Sequence, residues 1–253
     1  MNLSSHSSRT YWLKSIVVPT LIVTVWHLAT TYGDISSYIL PSPITVVTAF
    51  TDMLMSGELA EHIRASLQRV GIGFGTTAVL AIAFAMLFVR FQGLYDYFEF
   101  LFECLRAIPA LAFSPLFIVW MGIGEAPKLM IILFASFFPV FLNAYGGLQN
   151  VDKKYLELGR SLELSQSEII RHIRLPAALP QIITGLRLGF GYSWRALMGA
   201  ELIAAASGLG FLIVDAEELA RTDKAMAGII VIGVLGFCLD FIFKKVTAHA
   251  IRH

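Results

Sequence analysis

The chain has 253 residues, 57% of them hydrophobic and 15% charged, and its mean hydropathy of +0.71 excludes an ordinary water-soluble domain. A formal net charge of +1 excludes the broad basic surface of a nucleic-acid binder. The two cysteines, Cys104 and Cys238, show neither metal-ligand spacing nor a disulfide framework and read as small buried hydrophobes.

In chain order, the first apolar run, Leu13 to Thr31, is long enough to span a bilayer. No small-x-small cleavage site precedes TYGD, so it reads as an uncleaved anchor. The following stretch, LPSPITVVTAFTDMLMSGELAEHIRASLQRV, carries Pro41 and Pro43 and then apolar residues at near-helical spacing, interrupted at Ser56-Gly57. It predicts two short amphipathic helices on the outer surface. Further runs of spanning length are Ser66 to Val89, Ile108 to Gly122 with an apolar lead-in from Leu94, Leu129 to Gly147, Ile182 to Ala206 and Ala225 to Phe243. The expectation is an all-α polytopic membrane protein with about six spans, a single membrane domain over residues 1–253. Gly71, Gly73 and Gly75 in the second span, and Gly185, Gly189 and Gly191 in the fifth, predict faces where helices approach closely in lipid.

Lys and Arg concentrate on one side of that topology: Arg9, Lys14, Arg90, Lys153, Lys154, Arg160, Arg171, Arg174, Lys244, Lys245 and Arg252. That side, which holds both termini, is the expected cytoplasmic side.

Arg106, Arg195 and Glu201 fall inside or at the edges of apolar runs, where an ionisable group must face protein or a water-filled path. Arg195 reads either as an anion contact in a translocation path or as the partner of a carboxylate on another span or of backbone carbonyls. Glu201 lies too far along the same helix to pair with it. Arg106, just before Pro109, reads as a snorkelling or gate residue, and Asp240 as a helix–helix hydrogen-bonding group. Ser114 and Pro115 are the expected pathway-shaping pair, because a proline frees backbone carbonyls. Ser193, within GYSWR, reads as a helix-interface residue. No HExxH and no P-loop sequence occurs in the chain, which argues against an intramembrane metallohydrolase and against ATP binding in the P-loop manner.

The connection at 151–176 is polar without being loop-like. Leu156, Leu162, Ile169, Ile170 and Ile173 recur at helical spacing, predicting two short amphipathic helices broken near Glu163 to Ser165 and ending at Leu175-Pro176. Ser165 and Glu168 form a capping-box pattern. The apolar face needs a cover, either the protein's own spans or a groove on a partner. A secondary transporter or channel would account for the spans but not for this connection.

Glu157-Leu158-Gly159, position 163, Ile173, Leu175 and Pro176 match the spacing of the EAA loop of binding-protein-dependent ABC importer permeases, written EAA, three residues, G, nine residues, I-x-L-P. LPSP, RAIPALAFSPLFIVWMGIGE (106–125), LPAALPQIITGLRLGFGYSWRALMGAELIAA (175–205) and SGLGFLI (207–213) extend the resemblance over nearly the whole chain, to the branch that imports nitrate, sulfonates, taurine and bicarbonate. The resemblance implies a type I importer permease of the bacterial inner membrane that is not itself an enzyme and binds no cofactor. It also implies a second permease copy, two ATPase subunits carrying ATP and Mg, and a soluble substrate-binding protein. Glu157, Leu158, Gly159, Leu162, Glu163, Ile169, Ile173, Leu175 and Pro176 then form the element that docks on the ATPase. Leu158 stands where the family has a small residue, and Glu163 where it has glycine. Since a left-handed conformation costs a residue with a side chain about 1 kcal/mol or more, Glu163 predicts a variant bend or a continued helix.

Overall fold

The computed structural model describes residues 8–91 and 93–250, with side chains for 16–91 and 93–247. The side chains of Arg9 and Lys14, and all of Arg252, lie outside the described residues. Every regular element among the described residues is helical. The chain divides into two compact units, one of residues 1–60 and 212–230, the other of 61–211 and 231–253.

In the first unit, α1 (Ser8–Tyr32) coincides with the first predicted span, and its Trp26 Nε1 donates to the Pro41 carbonyl at 3.0 Å. That contact turns the chain into α2 (Pro43–Met55), which has Pro43 in its first turn and Ser42 as N-cap. The proline lacks only a donor that a first turn leaves unpaired, and the Ser42 oxygen satisfies another. Lys224 Nζ binds both Glu58 carboxylate oxygens at 3.0 and 2.9 Å. Ala220, at φ 57°, follows the end of α10 (Leu209–Glu218).

The second predicted outer helix is not separate. Gly57, at φ +83°, ends the turn after α2, and from Glu58 one helix, α3 (Glu58–Arg90), runs for 33 residues. No breaker lies between Glu58 and Ser66, so the amphipathic pattern simply passes into the apolar one.

The second unit is built on α6 (Glu125–Gln149) and α9 (Leu175–Ala204). Between α3 and α6 the predicted third span is broken: α4 (Leu94–Ala107) and the segment Ala110–Met121, which contains α5 (Ser114–Met121), meet at 89°. Pro109 explains the break, because the residue before a proline is driven out of the helical region, and Ile108 has ψ 124°. Among the described residues, four helical stretches are long and apolar enough to cross a membrane, and the bent pair, taken as one span, makes a fifth. α1 adds a 25-residue helix.

The core of this unit joins Ala81, Ala85 and Phe88 of α3 to Phe141, Ala144 and Leu148 of α6 and Ala178 and Ile182 of α9. Glycine sets the α6–α9 spacing. A Cβ at Gly185 would fall 2.6 Å from Asn143 Cβ, and one at Gly189 would fall 2.5 Å from Val140 Cγ2. Gly73 likewise abuts Ile132, whereas Gly71 and Gly75 meet open space and Gly191 meets only Arg195 Nη2 at 3.6 Å. Half of the predicted glycine faces are therefore packed. Cys104 and Cys238 are exposed rather than buried.

Candidate functional site

The segment after α6 folds as an elbow. Asp152 caps α7 (Lys153–Ser161), its side chain accepting from Lys154 N. Glu163 sits at φ 55°, Glu163 N donates to the Arg160 carbonyl at 2.9 Å and Leu164 N to the Gly159 carbonyl at 3.0 Å. This pair of bonds is the Schellman closure that glycine usually makes. Of the two outcomes open at Glu163, the structure has the bend, with glutamate in glycine's conformation.

Ser165 then opens α8 (Gln166–Ile169) through a complete capping box: Ser165 N donates to Glu168 Oε2 at 2.8 Å and Glu168 N donates to Ser165 Oγ at 3.3 Å. The expected stop at Leu175-Pro176 does not occur. The backbone widens into a π-turn over Ile170–Arg174 and continues as α9. Pro176 cannot donate to the carbonyl four residues back and its ring would strike it, and the wider turn relieves both problems.

The predicted docking residues separate into two groups. Ile169 is buried, and a Cβ at Gly159 would lie 2.5 Å from Ile173 Cδ1 and 3.4 Å from Ile169 Cγ1. Gly159, Ile169 and Ile173 are thus the internal seam of the elbow. Leu175 is half-buried, while Glu157, Glu163 and Pro176 are exposed. Leu158 and Leu162 are 57% and 64% exposed, as is Tyr155 at 58%. Their spacing of three and four puts the last three on one face of α7. Tyr155 escaped the sequence reading, although the i, i+3, i+7 spacing was visible. Arg174 Nη1 ties the elbow to the end of α6 through the Leu148 carbonyl at 2.8 Å.

Within the second unit, a cavity of about 850 Å³ is lined by Arg106, Arg195, Asn143 and Tyr192 among apolar side chains, and Arg195 also lines a neighbouring cavity of about 500 Å³. Arg106 Nη2 meets Glu103 Oε2 at 2.6 Å. Arg195 lies 5.5 Å from the Tyr192 ring centroid, in cation–π contact. It has no carboxylate partner among the described residues, so the interhelical pairing considered for it is not formed. Asp240 does pair between helices, accepting from Arg187 Nε and Nη2 at 2.9 and 2.8 Å.

Ser114, Pro115 and Glu201 do not line these cavities. Ser114 is buried, and Pro115 occupies the first turn of α5, where a proline frees no interior carbonyl. Glu201 is 1% exposed and accepts from Ser66 Oγ at 2.9 and 2.8 Å, Arg69 Nη1 at 2.8 Å and Gly210 N at 3.0 Å. Arg69 in turn grips Glu125 through Nε at 2.6 Å and Nη2 at 2.9 Å, and the Ser207 carbonyl through Nη1 at 2.6 Å. Lys128 Nζ completes the cluster on Glu125 at 2.8 Å. Gly208, at φ +115°, leaves room for the Glu201 carboxylate that any side chain there would strike, which accounts for the glycine in SGLG. Glu201, expected with Arg106 and Arg195 along a translocation path, is held here as the anchor of this buried cluster and lines neither cavity. No local signal pairs it with Arg69, which lies 132 positions earlier.

A multi-pass helical bundle with a cation-lined cavity and a helical elbow continuous with one span is the architecture of a membrane transport component. Residues 77–251 match the family described as binding-protein-dependent transport system inner membrane component, and the chain belongs to that family. It resembles SsuC of Bacillus subtilis (strain 168), a permease named for aliphatic sulfonates, at 37% identity over 90% of this chain and 83% of the relative. The taurine transport system permease TauC of Escherichia coli (strain K12) is 33% identical over 95% of this chain and 92% of the relative. The nitrate import permease NrtB of Synechocystis sp. is 32% identical over 90% and 85%. The MetNI methionine ABC transporter, solved in inward-facing conformations, shares the fold with a TM-score of 0.63 at 14% identity, covering 74% of this chain and 94% of that one. The protein is thus a permease component of an importer and not an enzyme.

Proposed function

We propose that the chain imports a small oxyanion, a sulfonate or nitrate, delivered by a soluble binding protein and driven by a partner ATPase that carries ATP and Mg. The permease works as a homodimer with two ATPase subunits in the cytoplasmic membrane, with both termini and the elbow in the cytoplasm, as the distribution of Lys and Arg supports.

The observation that carries the reading is the exposed apolar face of α7, Tyr155, Leu158 and Leu162, set on an elbow whose other face is packed internally by Gly159 against Ile173. An amphipathic helix with a solvated apolar face suits a hydrophobic groove on a partner. Glu157 and Glu163 flank that face along the chain, Gly159, Ile169 and Ile173 hold its shape, and Leu175, packed on the core of the second unit, and Pro176, in the first turn of α9, join it to the span. Closure of the ATPase pair would push the elbow, and α9 with it, as a movement of packed helices.

The test is co-purification with the ATPase and ATP-dependent import in proteoliposomes. Replacing Leu158 and Leu162 together by Glu is expected to abolish both while the permease still folds. Stoichiometric assembly and unchanged import in that double variant would refute the docking role.

A further inference from the structure

Among the described residues, three arginines in the helices of the second unit have carboxylate partners, Arg69 with Glu125 and Glu201, Arg106 with Glu103, and Arg187 with Asp240, while Arg64, Arg90, Arg160, Arg171 and Arg174 have none and line neither cavity. Arg195 differs. It has no carboxylate partner among the described residues, yet it lies well inside the 30-residue α9, its side chain is exposed, it lines both cavities, and it is in cation–π contact with Tyr192. A guanidinium at such a position needs a counter-charge or a watered path.

We propose that Arg195 is the centre of an oxyanion site inside the permease, shared by the two cavities and used by the solute after it leaves the binding protein. This rests on the importer reading above. Arg187, Gly191 and Arg195 recur every four residues, so they share one face of α9 over about 12 Å of its axis. The Arg195 guanidinium lies back over that face, its Nη2 only 3.6 Å from where a Cβ on Gly191 would be, so glycine leaves the fork unobstructed.

The chemistry selects the ligand. A guanidinium offers paired, coplanar N–H donors that match two oxygens of a sulfonate or nitrate. In the larger cavity Glu103 already neutralises Arg106, leaving Arg195 as the uncompensated charge, which suits a monoanion. The apolar wall formed by Leu111, Phe134, Phe138 and Leu188 accommodates a short organic tail. In the smaller cavity Lys244 and the Arg187–Asp240 pair offer the next positive charges along α9.

The test uses the transporter assembled with its ATPase in phosphatidylcholine nanodiscs, with Cys104 and Cys238 replaced by Ser and Leu188→Cys as reporter, since Leu188 lines both cavities. Labelling rates are compared for an anionic, sulfonate-bearing methanethiosulfonate and a cationic, trimethylammonium one. Arg195→Gln is expected to lower the anion-to-cation rate ratio by about tenfold or more, the scale of focusing by a charged cleft. Nitrate and methanesulfonate should slow labelling in the parent and not in Arg195→Gln. Arg195→Lys should keep the ratio but weaken the protection several-fold, because a point charge replaces the fork. An unchanged ratio in Arg195→Gln, or equal protection in parent and variant, overturns the proposal. Protection by added phosphatidylglycerol and not by the soluble anions also overturns it, by assigning the site to a lipid phosphate. An assembled, importing transporter with an unchanged ratio sinks this site alone, whereas charge-selective labelling without ATP-dependent import sinks the importer reading alone.

Discussion

Glu201→Ala tests the charge cluster most directly. The carboxylate is 1% exposed and receives Ser66 Oγ, Arg69 Nη1 and Gly210 N within 3.0 Å. Truncation strands a buried hydroxyl, a backbone N–H and part of a guanidinium. Breaking one side of a buried ion pair costs about 3–5 kcal/mol. The upper half of that range is not expected, because Arg69 keeps Glu125 and the Ser207 carbonyl. At roughly 2–4 °C per kcal/mol for a chain of this size, the melting temperature in detergent should fall by roughly 10 °C. Glu201→Gln keeps an acceptor for Ser66 but turns an amide N–H₂ toward Arg69, so it should recover less than half of the loss. A cycle with Ser66→Ala should show a coupling of about 0.5–3 kcal/mol. Thermal unfolding followed by size-exclusion monitoring reads all of these. A Glu201→Ala shift below about 2 °C, less than 1 kcal/mol by the same scaling, would show that the pairing with Arg69 carries no stability and would refute the reasoning.

Glu163→Gly should stabilise the elbow by about 0.5–1 kcal/mol, since it removes a left-handed penalty of about 1–2 kcal/mol at the cost of unfolded-state entropy; hydrogen exchange at Leu164 N reports it as slower opening. Gly159→Leu should drive α7 away from Ile173 and Ile169, costing about 1–3 kcal/mol by overpacking and reducing recovery of the ATPase on the purified permease. Gly159→Ala should be milder, because the first atom met is the mobile end of Ile173. Gly185→Val faces the carbonyl oxygens of Pro139 and Val140, which cannot swing aside. It should therefore lower the melting temperature more than Gly75→Val, where a Cβ meets nothing.

Features encoded by neighbours in sequence were legible. Hydropathy located the helices, the Ser165–Glu168 capping box has the expected reciprocal bonds, and the spacing around Glu157 and Pro176 located the elbow. Features that depend on distant pairing were not. Nothing around Arg69 in the sequence marks a partner for it, and only the fold brings it to Glu201, Glu125 and Ser207. Arg187 was similarly silent until α9 and α11 (Thr222–Ala250) brought it to Asp240. Two prolines act through their place in a helix: Pro115 begins one and lines neither of the two cavities, and Pro176 widens one and does not end it. In both cases the outcome depends on which carbonyl lies four residues back, a matter of element boundaries that composition does not fix.

The placement of stiff and permissive contacts along α9 gives a physical basis for coupling. Helical turns run without interruption from Gln166 to Ala204, so Arg195 stands about 30 Å of helix rise from Leu175 on the same rod. At the elbow the rod is held by Gly159 against Ile173 and by Arg174 on the Leu148 carbonyl. At the far end it is held by the Glu201 cluster. Between these holds its contact with α6 runs over Gly185 and Gly189, which seat the side chains of Asn143 and Val140. Such close seating fixes the spacing of the two helices, so any motion of one past the other is a small shear between packed helices. In the docking proposed above, a push at the exposed face of α7 would pass along the rod and tilt it, carrying Arg195 relative to the α4 wall of the cavity. The Glu201 cluster at the far end provides the fixed point against which that motion can act.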